Sequence, residues 1–84
     1  MQNKLFVGNL SWGITDDQLN EYFSQAGNVV EAKVIFDRMS GRSKGFGFVT
    51  FETDEEAQKA IEMFDGKEFD GREINVSVAR PREE

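Results

Sequence analysis

Apolar and polar residues alternate in four short segments of this 84-residue chain, at residues 4–9, 30–36, 44–51 and 74–79. Because successive side chains of a β-strand point to opposite faces, this pattern predicts four strands, each with one apolar face. The positions expected to face a core are Leu5, Val7, Val30, Ala32, Val34, Val49, Phe51, Ile74, Val76 and Val78. The four strands are therefore expected to form one sheet that is buried on one side.

Two further segments have the i, i+3, i+4, i+7 spacing of apolar residues that is typical of amphipathic helices. Each begins with a capping-box sequence, at residues 15–18 and 53–56, with acidic residues in the first turn. Gly27 is expected to end the first helix, and Asp65-Gly66 is expected to end the second. The apolar stripes consist of Leu19, Tyr22, Phe23 and Ala26 in the first helix and of Ala57, Ala60, Ile61 and Phe64 in the second.

The resulting order is strand, helix, strand, strand, helix, strand, and Asp70-Gly71 predicts a small hairpin before the last strand. Each half is a split βαβ unit. Two such halves form an α+β fold, the ferredoxin-like βαββαβ sandwich, in which a four-stranded antiparallel sheet has two helices on one face. The length suits a single domain over residues 1–84, with a core of about residues 4–80 and a short charged C-terminal tail.

The face of the sheet opposite the helices is expected to carry aromatic rings. By alternation, Lys44, Phe46 and Phe48 share one side of the third strand, and Phe6 lies on the same side of the first. Aromatic rings beside a cation form a surface on which unpaired bases can stack. The alternative is that these rings are core residues of a sheet covered on both sides. Trp12, between the first strand and the first helix, either stacks on a base or packs against the helix start.

Two motifs carry a resemblance to a known family. Residues 44–51, KGFGFVTF, fit the RNP1 pattern of RNA recognition motifs at every specified position, and residues 5–10, LFVGNL, are similar to the RNP2 hexamer. The chain therefore resembles the RNA recognition motif (RRM) family over about residues 4–80, in particular single-domain bacterial RNA-binding proteins and the RRM of plant glycine-rich RNA-binding proteins. The resemblance implies a module that binds single-stranded RNA, with RNA chaperoning or post-transcriptional regulation as its role.

The resemblance also implies roles for individual side chains. Phe6 and Phe48 would stack on successive bases, Phe46 would lie against sugars or a third ring, and Lys44 would pair with a phosphate. Asn9, at the rim of the sheet, would bond a base, although it can equally cap the strand end. Other candidates share the open face or border it, with plain surface as the alternative: Lys33, Ile35, Arg42, Asn75, Ser77, Ala79 and Arg80.

The net charge of −6 at first argues against a polyphosphate ligand. The predicted helices account for it, because they hold seven acidic residues and one basic residue, whereas the rest of the chain holds nine of each. The charged helix residues are Asp16, Asp17, Glu21, Asp54, Glu55, Glu56, Lys59 and Glu62. The acidity is therefore expected to face away from the rings. Binding driven by stacking, with roughly three phosphate contacts, predicts a log–log salt slope of about −2.

The composition excludes several kinds of chemistry. The chain contains no cysteine and no histidine, which excludes disulfides, iron–sulfur ligation, imidazole catalysis and the usual zinc sites, so no cofactor and no metal is expected. An enzyme is not expected either, since residues 11–14 lack the arginine that acylphosphatases of this fold use to hold a phosphate. Neither an apolar leader nor a membrane-length apolar run is present, so a cytoplasmic protein without a membrane partner is expected. The protein is also expected to be a monomer. Single-stranded DNA is a second candidate ligand.

A protein-interaction module is the alternative function. Some members of the family bind a peptide on the helical side, through acidic residues of the first helix and an Arg-x-Phe motif before the last strand. Asp16, Asp17 and Glu21, together with residues 67–69, KEF, are similar to that arrangement. Two features count against it: a lysine stands where the motif has arginine, and both RNP motifs are intact.

Overall fold

The computed structural model describes residues 3–11, 13–36 and 43–79. Within these residues, two helices and six strands follow one another in the predicted order, with the predicted hairpin before the last strand. The elements are β1 (Lys4–Gly8), α1 (Asp16–Phe23), β2 (Val29–Phe36), β3 (Ser43–Phe51), α2 (Asp54–Phe64), β4 (Glu68–Phe69), β5 (Arg72–Glu73) and β6 (Asn75–Val78).

Four of the strands form one antiparallel sheet in the order β2-β3-β1-β6, and β4 pairs with β5 in a separate hairpin. One cluster of buried side chains joins the inner face of this sheet to both helices. Its members are Leu5, Val7, Leu10, Ile14, Leu19, Phe23, Ala26, Val34, Val49, Phe51, Ala57, Ala60, Phe64, Ile74 and Val76. Both helices therefore cover the same face of the sheet, and the predicted ferredoxin-like sandwich is confirmed.

The start of β2 departs from the predicted face assignment. Val30, expected in the core, is 65% exposed, whereas Val29 packs against the core. The pairing of β2 with β3 shifts register between Val29 and Glu31, as it does at a β-bulge. Because a shift of one residue turns side chains to the opposite face, the bulge places Val29 inward and Val30 outward. The prediction for Val30 is wrong for this reason.

The capping box of α1 is present as predicted. The backbone N–H of Gln18 donates to the Thr15 hydroxyl (3.2 Å), and the backbone N–H of Thr15 donates to the Gln18 side chain (3.0 Å). The N–H groups of the N-cap residue Thr15 and of Gln18, which have no partner within the helix, are thus both hydrogen-bonded. α1 ends at Phe23 with Ser24 as its C-cap, one turn before the predicted stop, although Ala26 is still buried in the turn that follows.

Gly27 and the start of α2 are linked in a way that the sequence does not show. A Cβ at Gly27 would lie 2.6–2.8 Å from three carbons of the Glu56 side chain, so glycine provides room for Glu56 rather than a helix stop. Thr53 accepts a hydrogen bond from the Glu56 N–H (3.2 Å), but Glu56 Oε1 is buried and lacks a partner among the described residues. The second capping box is therefore only half formed, because its glutamate packs on Gly27.

The hairpin β4–β5 has a tight two-residue turn and packs against α1. Asp70 and Gly71 both have positive φ angles (55° and 84°), as a two-residue type I′ turn requires. The Tyr22 ring of α1 stacks on Phe69 of β4, with centroids 4.0 Å apart and planes inclined by 9°. At the C-cap of α2, which lies where the sequence predicts the helix end, Asp65 accepts a hydrogen bond from the Val76 N–H (2.9 Å). These contacts join β4 to α1 and the end of α2 to β6.

Candidate nucleic-acid interface

The three predicted aromatic residues meet on the open face of the sheet. Phe6 on β1 lies directly opposite Phe48 on β3, and Phe46 is opposite Gly8. The ring centroids are 5.4 Å apart for Phe6 and Phe46, 5.8 Å for Phe6 and Phe48, and 6.2 Å for Phe46 and Phe48. The three rings, here called the aromatic platform, are half-buried against one another and retain exposed surface. A core covered on both sides, the alternative interpretation, does not fit that exposure.

Strand alternation accounts for the platform. Leu5, Val7 and Val49, the neighbours of the platform rings along β1 and β3, are fully buried on the opposite face. Their burial against the helices holds the register, because a slip of one residue would move these apolar side chains to solvent. The hydrophobic core thus positions Phe6 and Phe48 from the opposite face of the sheet.

Gly47 lets β2 approach β3 closely beneath the platform. A Cβ at this position would overlap the carbonyl oxygen of Lys33 and would lie 3.1 Å from the Cα of Val34. Both contacts are with backbone, which cannot rotate away as a side chain can. The glycine of the RNP1 motif therefore serves the packing of the two strands, and through it the position of Lys33 beside Phe48.

The other predicted site residues surround the platform in two rows. Across the sheet, Lys33, Phe48, Phe6 and Ser77 are consecutive partners on β2, β3, β1 and β6. In the next row Gly8 separates Phe46 from Asn75. The exposed members of these rows are Lys33, Asn75 and Ser77, while Ile35 and Ala79 are half-buried. The side chain of Lys44, like Arg42 and Arg80, lies outside the described part of the structure. No observation tests the individual roles, which stay predictions.

Lys4, a cation that the sequence places near the platform, contacts one of the platform rings. Its Nζ lies 4.9 Å from the centroid of the Phe48 ring, within the range of a cation–π interaction. Lys4 is opposite Thr50 in the pairing of β1 with β3, two residues along β3 from Phe48. It therefore places a positive charge at one end of the platform.

Asn9 has a structural role at the other end of β1. Its backbone is left-handed (φ 62°), its Nδ2 donates to the carbonyl of Glu73 (2.6 Å), and its Oδ1 accepts from Nη2 of Arg72 (2.9 Å). Both ends of the amide thus join β1 to the hairpin. Beside them lies a cleft of about 470 Å³, lined by Phe6, Gly8, Asn9, Leu10, Gly45, Phe46, Arg72 and Asn75. Arg72 was not predicted, because its contact with Asn9 spans 63 residues of the chain.

The acidic residues lie behind the sheet as predicted. All seven helix acids fall within α1 and α2, which pack on the face opposite the platform. Asp16 also bonds the sheet directly, since its Oδ1 accepts from the Val34 N–H at 2.7 Å. The net negative charge of the chain is therefore concentrated on the side away from the rings, which reduces its repulsion of a ligand on the open face.

The helical side has a second cleft, of about 410 Å³, lined by Ile14, Gln18, Glu21, Tyr22, Gln25, Phe69 and Asp70. This is the surface that the peptide-binding alternative requires. One face of the Phe69 ring is already covered by the stacked ring of Tyr22. Burial also raises the pKa of Tyr22 above its ordinary value of 10.0. The aromatic surface that a peptide would need is thus partly occupied by the protein itself.

The described residues show no sign of a metal site or a membrane span. No group of three or more acidic side chains in the described ranges is arranged to hold a metal ion. Neither α1 nor α2 is long and apolar enough to cross a membrane.

The chain is similar to plant organellar RNA-binding proteins. It is 58% identical over 80 residues to the chloroplastic RNA-binding protein CP29B of Arabidopsis thaliana, covering 95% of this chain and 28% of that protein. It is 52% identical over 82 residues to the mitochondrial glycine-rich RNA-binding protein 4 of the same plant, covering 98% and 60%. The chain thus spans only about a quarter of the length of its chloroplastic relatives. The predicted resemblance to plant glycine-rich proteins is confirmed.

The prediction of a cytoplasmic location is wrong. The relatives that the chain matches are chloroplastic or mitochondrial proteins, not cytoplasmic ones. The prediction failed because targeting information resides in segments that are separate from the fold they deliver, so the folded domain carries no record of its compartment. The peptide-binding alternative gains no support either, since the names of these relatives refer to RNA or ribonucleoprotein.

Solved structures and a family profile agree on the assignment. The fold superposes on the crystal structure of RNA-binding protein PG1 with a TM-score of 0.88, at 42% identity, covering 96% of this chain and 98% of that one. It superposes on the Rna15 RRM with bound RNA (GU) with a TM-score of 0.85, at 25% identity, covering 96% and 86%. The profile of the RNA recognition motif matches residues 5–75. This chain belongs to the RNA recognition motif family.

Proposed function

We propose that the chain binds single-stranded RNA on the open face of its sheet. Bases stack on Phe6 and Phe48, and Phe46 lies against a sugar or a third base. The observation that carries this proposal is the aromatic platform, three half-exposed rings with centroids within 6.2 Å of one another on a face that the core does not need. Unpaired bases stack on such surfaces in single-strand-binding proteins.

The size of the platform sets the expected affinity. Three rings and the flanking rows of β2 and β6 suit about two to four nucleotides. Base–aromatic stacking contributes about 1–3 kcal/mol per base, so one domain should bind with modest affinity. Among the residues that the structure describes, Lys4, Lys33 and Arg72 are the cations beside the platform, and the helix acids lie behind the sheet. We therefore expect the affinity to fall with salt on a log–log slope of about −2, shallower than for a protein that depends on phosphate contacts.

The residues around the platform complete the proposed interface. Lys33, Ser77 and Asn75 lie in the two rows that contain the rings, and their polar groups can reach base edges. Ile35 and Ala79 add apolar contact at the strand ends. Lys44, Arg42 and Arg80 are proposed to approach the RNA backbone, together with Lys4, whose Nζ lies beside the Phe48 ring.

The proposed activity is binding without catalysis, by a single domain that acts as a monomer. The proposed platform consists of phenylalanine rings, which supply neither a nucleophile nor a general acid or base. Single-stranded DNA is expected to bind the same rings, because stacking does not require the 2′-hydroxyl. RNA chaperoning or post-transcriptional regulation is the proposed role, and the ribonucleoprotein names of the relatives support it.

A ¹H–¹⁵N NMR titration with a short randomised single-stranded RNA pool tests the proposal. We expect amide shifts at Phe6, Phe46, Phe48, Lys33 and Ser77. Amides of α2, which lie behind the sheet, serve as the internal control and should remain unchanged. Shifts confined to α1 and β4 would instead identify the helical cleft as the binding surface, and an unperturbed sheet at saturating RNA would rule out the platform.

A further inference from the structure

The cleft at the end of β1 combines two aromatic rings with three polar side chains, those of Asn9, Arg72 and Asn75, an arrangement that suits one base. The rings of Phe6 and Phe46 and the backbone of Gly8 and Gly45 form its walls, and Arg72 and the exposed Asn75 supply polar groups. Its volume of about 470 Å³ lies within the range of small-ligand pockets, about 300–1,000 Å³. A base that enters it remains in contact with the platform.

Arg72 is held in a defined orientation at this cleft. Its Nη2 donates to Asn9 Oδ1 at 2.9 Å, while Asn9 Nδ2 is anchored to the Glu73 carbonyl at 2.6 Å. Asn9 itself is fixed by its left-handed backbone at the end of β1. A guanidinium carries five N–H donors in a planar fork, so a bond to Asn9 leaves others for a ligand.

The position of the fork favours recognition of a base over attraction of a phosphate. A planar fork meets two acceptors at once, and both a phosphate and a base edge can supply them. Arg72 lines the same cleft as the rings of Phe6 and Phe46, where a stacked base would present its edge to the guanidinium. Guanine presents two adjacent acceptors, O6 and N7, whereas adenine presents an acceptor next to a donor. Guanine is therefore a better match to Arg72 than adenine. Cytosine also has adjacent acceptors, N3 and O2, but the two-ring system of guanine covers more of the aromatic walls of the cleft.

We propose that this cleft is a subsite for one guanine of the bound RNA, read by Arg72, with Asn9 as the positioning residue. The proposal rests on the proposed function, because the rings of the platform form the walls of the subsite. It also gives Asn9 a different role from the one that the sequence predicts: Asn9 acts through Arg72 rather than on a base.

Fluorescence anisotropy with two labelled RNAs of equal length tests the proposal: a uridine tract and the same tract with one central guanosine. The wild-type protein should bind the guanosine-containing RNA at least about fivefold more tightly, the lower end of what one bidentate arginine contact provides. Arg72→Lys, which keeps the charge but removes the fork, should bring this ratio close to one. Asn9→Gly, which tolerates the left-handed backbone, should also lower the ratio although Arg72 is unchanged. Lys59→Gln on α2 is the control and should alter neither affinity nor ratio.

Three results would overturn the proposal. Equal affinity of the wild-type protein for the two RNAs would show that the cleft does not select guanine, while RNA binding itself would stand. A lower affinity of Arg72→Lys for both RNAs with an unchanged ratio would make Arg72 a phosphate contact. Absence of binding to either RNA by the folded wild-type protein would instead refute the proposed function, and the guanine subsite with it. Thermal unfolding of each variant separates these results from a loss of fold.

Discussion

Replacing two platform rings, Phe46→Ala with Phe48→Ala, should abolish most of the RNA affinity while the fold persists. The double variant removes all three ring pairs of the platform, leaves Phe6 alone, and takes away the ring beside which the Lys4 ammonium lies. No side chain of the buried cluster is touched. The perturbation thus separates the proposed binding surface from the core that supports it.

The magnitude follows from the number of stacks lost. At about 1–3 kcal/mol for each base–ring contact, loss of two contacts costs about 2–6 kcal/mol, which lowers the affinity about thirtyfold or more. The half-exposed rings also stabilise each other, at about 0.5–1.5 kcal/mol for an aromatic pair. A moderate fall in thermal stability is therefore expected alongside the large fall in affinity, and affinity must be measured well below the unfolding transition.

Fluorescence anisotropy with a randomised short RNA, together with an amide NMR spectrum of the free protein, provides the measurement. Tyr22→Leu is the matched control, because it removes a half-buried ring that contacts Phe69 on the helical side and leaves the platform intact. The double variant Phe46→Leu with Phe48→Leu keeps an apolar side chain at both positions but removes the aromatic rings. Its RNA affinity should lie between that of the alanine double variant and that of the Tyr22→Leu control. If the folded alanine double variant binds within about twofold of wild type, stacking on these rings is not the source of affinity.

Three further predictions concern the scaffold. Phe51→Ala should lower the free energy of unfolding by about 3–5 kcal/mol, because the Phe51 ring is fully buried. An unchanged free energy of unfolding by chemical denaturation would show that the two faces of β3 are assigned the wrong way round. Gly47→Ala should destabilise by about 1–3 kcal/mol because its Cβ would meet the backbone of Lys33, whereas Gly13→Ala, which meets nothing within 4 Å, should be nearly neutral by the same assay. Burial raises the pKa of Tyr22, so its contribution to stability is present below pH 10.0 and is lost as the pH rises through the raised value. The alkaline fall in melting temperature should be smaller in Tyr22→Phe, and an identical fall in both proteins would contradict this.

The sequence predicted most of the fold because its local signals agree with one another. Period-two alternation, helical stripes and the Asp70-Gly71 turn all point to the same arrangement of elements, and consistency of this kind is typical of natural sequences. The bulge at Val30 was missed because a register shift depends on the partner strand and leaves no mark in composition. The half-formed cap at Glu56 was missed because the competing contact, with Gly27, lies in a different element.

The candidate site was predictable to the extent that it is made by neighbours on strands. Alternation and the two motifs place Phe6, Phe46 and Phe48 together, and the observed register brings their rings into contact. Arg72 was not predictable in this way, because the turn geometry of the hairpin and the side chain of Asn9, 63 residues earlier, together determine its position. Residues that depend on one long-range hydrogen bond carry no periodic signal.

The geometry of the platform also determines what state of RNA it accepts. Phe6 and Phe48 have centroids 5.8 Å apart and planes inclined by 65°. Successive bases of a helical strand are parallel and only about 3.4 Å apart. Bases that stack on these two rings must therefore give up contact with each other, and a nucleotide held this way is removed from any hairpin it belonged to. Base pairs at a site must open before the protein binds there, and the free energy of opening reduces the net affinity. Occupancy along an RNA would then be highest where the bases are already unpaired. A bound protein would keep those bases unpaired until it dissociates.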